Sequence, residues 1–240
     1  MSSPGPDDDH DTQAARDAGP LTRAGLRDGS LLAAARTRAV PQFPVLSDQE
    51  IATSLHATLS GLSRDKDIWV FGYGSLIWNP MLEYVEKRPA LLRGWHRRFC
   101  LLSTGRGSPE RPGLMLALDE GGECRGLAFR IEASRVEEEL SILWHREMLN
   151  GSYLARRLDA ESERGDIEVL AFVANHDHPR FTGDLSESEI AERIAFSRGP
   201  SGSGVEYLRN TIASLAAHGL DDAGLERIRL HMEARLAGAP

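Results

Sequence analysis

The chain has 240 residues, 41% of them hydrophobic, with 36 acidic against 28 basic side chains and a formal charge of −8. That is enough apolar material for one substantial domain or two small ones, and the acidic balance excludes the clustered basic surface of a nucleic-acid binder. It gives no attraction to anionic membranes, and no stretch approaches the roughly 20 apolar residues of a membrane span. The start, Met1-Ser-Ser-Pro-Gly-Pro-Asp-Asp-Asp-His10, lacks the basic and apolar regions of a secretory signal, so a reducing cytoplasm is expected.

Residues 1–20, rich in Asp, Pro, Ser and Gly, are expected to form a disordered tail. Residues 21–66 are expected to be a helical N-terminal extension, with one helix over Leu21 to Ala35 despite Gly25 and Gly29. A second helix opens at the capping box Ser47-Asp-Gln-Glu50 and runs to about Leu62. The main domain is expected to occupy 67–240. It starts with Ile68-Trp-Val-Phe71, an apolar run that reads as a buried strand. Leu91 to Leu102, Leu114 to Leu118, Arg125 to Ile131, Tyr153 to Leu158 and Ile167 to Ala174 are further strand candidates. Ser134-Arg-Val-Glu137 reads as a capping box for a helix to about Met148, and Ser186-Glu-Ser-Glu189 as one for a helix to about Phe196. Gly199-Pro-Ser-Gly-Ser-Gly204 makes a tight loop before a helix near Val205 to Ala217, and Asp221 or Asp222 caps a last helix ending near Leu236. Strands interrupted by one helix and followed by a helical tail predict an α+β fold around a curled mixed sheet.

Gly72 and Gly74 let the backbone leave the first strand sharply. Such a turn suits either plain architecture or a cradle of N–H groups for a carboxylate or a developing oxyanion. The helix opened by Ser134 carries the main anomaly. Val136, Leu140, Leu143 and Trp144 form its apolar stripe, and at about 100° per residue Glu147 falls near the centre of that stripe. Glu137, Glu138 and Glu139 read as a solvated cluster on other faces. A core-facing Glu147 is either a structural ion pair, with Arg98 or Arg130, or a carboxylate of raised pKa kept for proton transfer.

Other chemistry is weakly supported. Asn175-His-Asp-His178 reads as a solvated loop, since no third metal ligand accompanies it. The 199–204 glycines lack the Lys-Ser/Thr of a Walker motif, and Gly72-Tyr-Gly74 lacks the third glycine of a dinucleotide fingerprint. Ser75 has no evident His and Asp partners, which argues against a serine hydrolase. Cys100 and Cys124 are expected to be buried free thiols.

The ordered set Trp69-Val-Phe-Gly-Tyr-Gly-Ser-Leu-Ile-Trp78, Gly94-Trp-His-Arg-Arg-Phe99, Ser103-Thr104 with Pro109-Glu-Arg-Pro-Gly113, Arg146-Glu147 with Gly151-Ser-Tyr153, Gly199-Pro-Ser-Gly202 and Glu206-Tyr-Leu208 resembles the ChaC-type γ-glutamylcyclotransferases, the glutathione-specific branch of that superfamily. Met148-Leu149-Asn150 departs from the family pattern, which has a lysine and an extra glycine there. The resemblance implies a small mixed β-barrel with helices around it. It implies glutathione as the small-molecule substrate, cyclised to 5-oxoproline with release of Cys-Gly and with no cofactor or metal. It places the catalytic glutamate on Glu147 and the substrate-binding loop on Gly72, Tyr73, Gly74, Ser75, Leu76 and Ile77. Tyr207 either hydrogen-bonds substrate or Glu147, or packs its helix; Tyr153 reads as packing, and Arg106 and Arg111 either meet the glycyl carboxylate or, as the favoured reading, belong to a surface loop. A monomer is expected. The alternatives are a cyclotransferase for other γ-glutamyl amines and a γ-glutamyl-binding regulatory domain without turnover.

Overall fold

The computed structural model describes residues 22–238, so the tail expected over 1–20 lies outside them. Three helices precede the first strand: α1 (Arg23–Arg27), α2 (Ser30–Thr37) and α3 (Asp48–Ser60). The single helix expected over Leu21 to Ala35 is two. Gly29 takes a left-handed φ of 76° between them, which ends one helix and turns the chain into the next. The box at Ser47 and Glu50 forms as read, with both reciprocal bonds present.

Five strands make the main sheet: β1 (Ile68–Gly72), β2 (Glu86–Ser103), β3 (Gly113–Ile131), β4 (Tyr153–Ala160) and β5 (Ile167–Ala174), in the order β2-β3-β1-β5-β4. β1 runs parallel to β5, and the other neighbours are antiparallel. The sheet curls until Leu91 of β2 meets Glu161 beyond β4, exchanging two backbone bonds of 2.9 Å, and closes into the expected small mixed barrel. The two strands expected at 114–118 and 125–131 are one. Gly121 and Gly122, both at positive φ, lie where the β2–β3 register shifts between Arg93 and Trp95, so the gap between the two expected strands is a bulge within one strand.

A single turn, α4 (Ser75–Trp78), follows β1. Helix α5 (Val136–Glu147) crosses between β3 and β4, and the chain ends in α6 (Glu187–Phe196), a two-residue-per-strand hairpin β6 (Arg198–Gly199) and β7 (Gly202–Ser203), α7 (Gly204–Ala216) and α8 (Ala223–Ala237). The boxes at Ser186 and at Ser203 with Glu206 both form, and Asp222 caps α8. No box forms at Ser134. The chain enters α5 through a short 3₁₀ turn, and the free Ala133 N–H donates to Asp67 from before β1 instead.

β1 lasts only five residues. Beyond its end β3 and β5 touch directly through Leu118 and Val173, and the chain leaving β1 turns over that end of the barrel. The C-terminus of α5 and the start of α7 converge there. The core beneath is continuous, with Val70, Phe71, Leu116, Leu140, Trp144, Phe172 and Leu208 all buried.

Candidate active site

The turn after β1 is fixed from three sides. The Tyr73 hydroxyl donates to the Phe172 carbonyl on β5 at 2.6 Å, and Arg97 on β2 donates to the Tyr73 carbonyl at 2.9 Å. Gly74 then begins α4, whose first N–H groups have no intrahelical acceptors. A Cβ at Gly74 would sit 3.0 Å from the Tyr207 hydroxyl, so any side chain there would push back the group that α7 brings against the loop. At Gly72 a Cβ would press on Phe129 at 2.9 Å. Tyr73, Leu76 and Ile77 are buried, which makes them the packed underside of the loop.

Glu147 ends α5 at the same place. Its carboxyl is only 10% exposed, and the Arg146 Nε lies 2.9 Å from Oε1. Burial pushes the carboxyl above the usual range, and the Arg146 charge opposes that only in part. The stripe on α5 thus predicted the burial, while the partner is the adjacent arginine rather than Arg98 or Arg130. Arg146 has more than one task. Its Nη2 donates to Ser75 Oγ at 2.8 Å, and its Nη1 to the carbonyls of Asn79 and Pro80. One guanidinium therefore joins Glu147 to Ser75 and to the chain leaving α4.

Three buried tyrosines surround this pair. Tyr153 donates to the Leu116 carbonyl at 2.8 Å, consistent with the packing role read for it. Burial pushes the phenols of Tyr73, Tyr153 and Tyr207 up, and the Glu147 charge adds to each shift. For Tyr207 the Arg106 guanidinium opposes the rise. The favoured surface-loop role for Arg106 gives way to a half-buried one. Arg106 lies over the Tyr207 ring at 4.4 Å and donates to the Ser203 carbonyl, and burial lowers its pKa. The cause is the 199–204 hairpin, which folds onto the loop carrying Arg106: Ser201 N–H donates to the Gly105 carbonyl at 2.7 Å. No sequence spacing signals that contact. Arg111 stays exposed, beside a surface cavity of about 470 Å³ formed with α6.

The cluster read as solvated, Glu137 to Glu139, needs a correction. Glu139 is fully buried because α1 covers that side of α5, and Arg23 forks onto its two oxygens at 2.6 Å each. His176 is likewise not simply solvated: it meets Asp119 at 2.6 Å and stacks on Phe181. Cys100 and Cys124 are buried free thiols, as read. No helix among the described residues is long and apolar enough to cross a membrane.

A family model described as ChaC-like protein matches residues 68–235. The chain is 39% identical over 202 residues to an Escherichia coli protein named glutathione-specific gamma-glutamylcyclotransferase, a match covering 83% of this chain and 87% of that one. That share is larger than residues 68–240 hold, so the likeness reaches upstream of β1. A zebrafish (Danio rerio) protein named glutathione-specific gamma-glutamylcyclotransferase 1 is 37% identical over 147 residues, 59% of this chain and 75% of its own. Among solved structures, a yeast gamma-glutamyl cyclotransferase specific to glutathione aligns with a TM-score of 0.66 at 25% identity, over 70% of this chain and 96% of that one. The barrel, the turn after β1 and the ordered motifs all lie inside the matched segment, and the chain belongs to the ChaC-like protein family.

Proposed function

We propose that this protein degrades glutathione by cyclising its γ-glutamyl group to 5-oxoproline and releasing Cys-Gly, with Glu147 as general acid and base. The observation that carries the reading is a buried carboxyl of raised pKa tied through one arginine to the turn after β1. The names of the bacterial, zebrafish and yeast relatives supply the substrate.

In this reaction the substrate's own α-amine attacks its γ-carbonyl carbon. The new N–C bond closes a five-membered ring, and the amide bond to the cysteine nitrogen breaks. Neither water nor a cofactor enters the balance. Because attack is intramolecular, holding the γ-glutamyl unit in a folded shape supplies much of the acceleration. The amine must lose a proton and the departing nitrogen must gain one. Arg146 engages Oε1 of Glu147, which leaves Oε2 to carry that proton from one nitrogen to the other. The raised pKa suits this exchange, since an acid and base in one group works best near the operating pH. Gly72, Tyr73, Gly74, Ser75, Leu76 and Ile77 form the cradle. The free N–H groups at the start of α4 receive the substrate carboxylate or the oxyanion. The Tyr207 hydroxyl, against Gly74, donates to the bound substrate. All of these groups come from one chain, so the proposed reaction needs no residue from a second subunit.

The test is to incubate the purified protein with glutathione and, separately, with γ-glutamyl dipeptides and amines, and to quantify 5-oxoproline. Release from glutathione well above the others is expected. Release only from the others transfers the reading to a different leaving group, and release from none favours a binding domain without turnover.

A further inference from the structure

The helices before β1 grip the machinery around Glu147. Arg23 of α1 forks onto Glu139, two turns before Glu147 on α5. The same guanidinium donates to the Met81 carbonyl at 2.8 Å, and the Glu83 N–H donates to Glu139 at 2.9 Å. Met81 is the one non-glycine residue at positive φ among those described, at 54°. Such a conformation is strained for a residue with a Cβ and persists only where its surroundings over-determine it. The surroundings here are two arginines. Arg23 holds the carbonyl of Met81, and Arg146 holds those of Asn79 and Pro80 just before it. Further along α5, the Trp144 indole N–H donates to Ser54 of α3 at 2.9 Å. Just past α5, the Leu46 N–H donates to the Leu149 carbonyl.

We propose that the N-terminal helices are a positioning element for the active site, acting through Arg23: by clamping the 79–83 segment against α5, Arg23 presents the Asn79 and Pro80 carbonyls that aim Arg146 at Glu147 and Ser75. Arg23 touches no reacting atom. Its effect reaches the chemistry through the geometry of Arg146, whose misplacement by an ångström is enough to lower turnover about 10²-fold. The inference rests on the proposed role of Glu147.

The test uses the full chain with Arg23→Ala, Arg23→Lys and, as a control, Arg27→Ala, which removes only the exposed pair with Glu138. Deleting the helices is not informative, because Ile51 and Leu32 belong to the core and their loss unfolds more than the clamp. Arg23→Ala is expected to lower kcat for 5-oxoproline release about tenfold or more with KM changed less than about twofold. Arg23→Lys, which keeps the charge without the fork, should fall between it and wild type. Arg27→Ala should match wild type. Amide hydrogen exchange of each variant is read in parallel. Arg23→Ala should lose protection over residues 79–83 and 146–150 while the barrel strands keep theirs. Unchanged kcat together with unchanged protection overturns the clamp. A uniform loss of protection across the barrel also overturns it, in favour of a purely stabilising contact. If wild type releases no 5-oxoproline, the functional reading fails, and the exchange pattern alone still decides whether Arg23 holds the segment.

Discussion

Arg146→Lys is the sharpest probe of the site, because it keeps the charge and removes only the geometry. Arg146 is 5% exposed and holds Glu147 Oε1, Ser75 Oγ and the Asn79 carbonyl from three different nitrogens, with the Pro80 carbonyl further off at 3.3 Å. An ammonium on a flexible stem is a point charge and can replace at most one of those three directions well. Two charge-assisted bonds are then lost where water reaches poorly. At about 1.5 kcal/mol each, the lower end for bonds to a charged donor, the loss is about 3 kcal/mol. If the same contacts orient Glu147 and Ser75 in the transition state, that energy corresponds to about a 100-fold fall in kcat/KM. Urea unfolding followed by far-UV circular dichroism measures the first quantity, and 5-oxoproline release from glutathione the second. Ser75→Ala, which removes one of the three contacts, should show a smaller fall in both. A lysine variant within about 0.5 kcal/mol of wild-type stability and with kcat/KM within threefold would refute the claim that the fork organises the site.

Glu147→Gln should lower turnover by about 10²–10⁴-fold, the usual worth of a general acid and base, with the fold retained because the shape is unchanged. It should also stabilise the protein at neutral pH. The folded carboxyl titrates above its ordinary value of 4.5, so the native state keeps the proton longer than the unfolded chain. Wild-type stability therefore falls as pH rises from 4.5 through the folded value, and the amide escapes that loss. Unfolding curves at several pH values should show a gain for the variant that vanishes below pH 4.5; a constant difference would remove the carboxyl's titration as its cause. The two thiols supply an independent check on the barrel. Burial pushes Cys100 up to about 12 and raises Cys124 as well, so neither should react with iodoacetamide at pH 8 until denaturant is added. Alkylation of the native protein would contradict the packing described.

What the sequence discloses follows the range of the forces involved. The boxes at Ser47 and Ser186 and the strand Ile167–Ala174 are set within a few residues, and they appear where local pattern puts them. Ser134 is no cap because it lies inside the 3₁₀ turn Ala133–Arg135, which starts one residue earlier and whose Ala133 N–H is held by Asp67, distant in sequence. Gly121 and Gly122 fall in the gap between two expected strands, yet the partner strand holds them as a bulge within one strand. The burial of Glu147 was legible from the α5 stripe, since the residue shares the face of Leu140, Leu143 and Trp144. The burial of Glu139 was not, because Arg23 comes from 116 residues away. Arg106 escaped for the same reason: only the fold of the 199–204 hairpin brings it over Tyr207.

Helix α5 buries two carboxylates, and their different surroundings separate two roles. Burial pushes Glu139 up, but the Arg23 fork, the Glu83 N–H and Arg135 outweigh it, and the group stays below its ordinary range. Every lone pair has a donor, which is how a structural ion pair is made tolerable in a core. Glu147 has one nitrogen near one oxygen, and that nitrogen's guanidinium is shared with Ser75, Asn79 and Pro80. Burial wins, and its pKa rises. Carboxyls whose environments drive them apart in this way divide into a fixed charge and an exchangeable proton. A carboxylate needed only to hold α5 in place would be better served by the arrangement around Glu139. In the proposed reaction, the incomplete pairing of Glu147 leaves its second oxygen for a substrate nitrogen at the turn after β1.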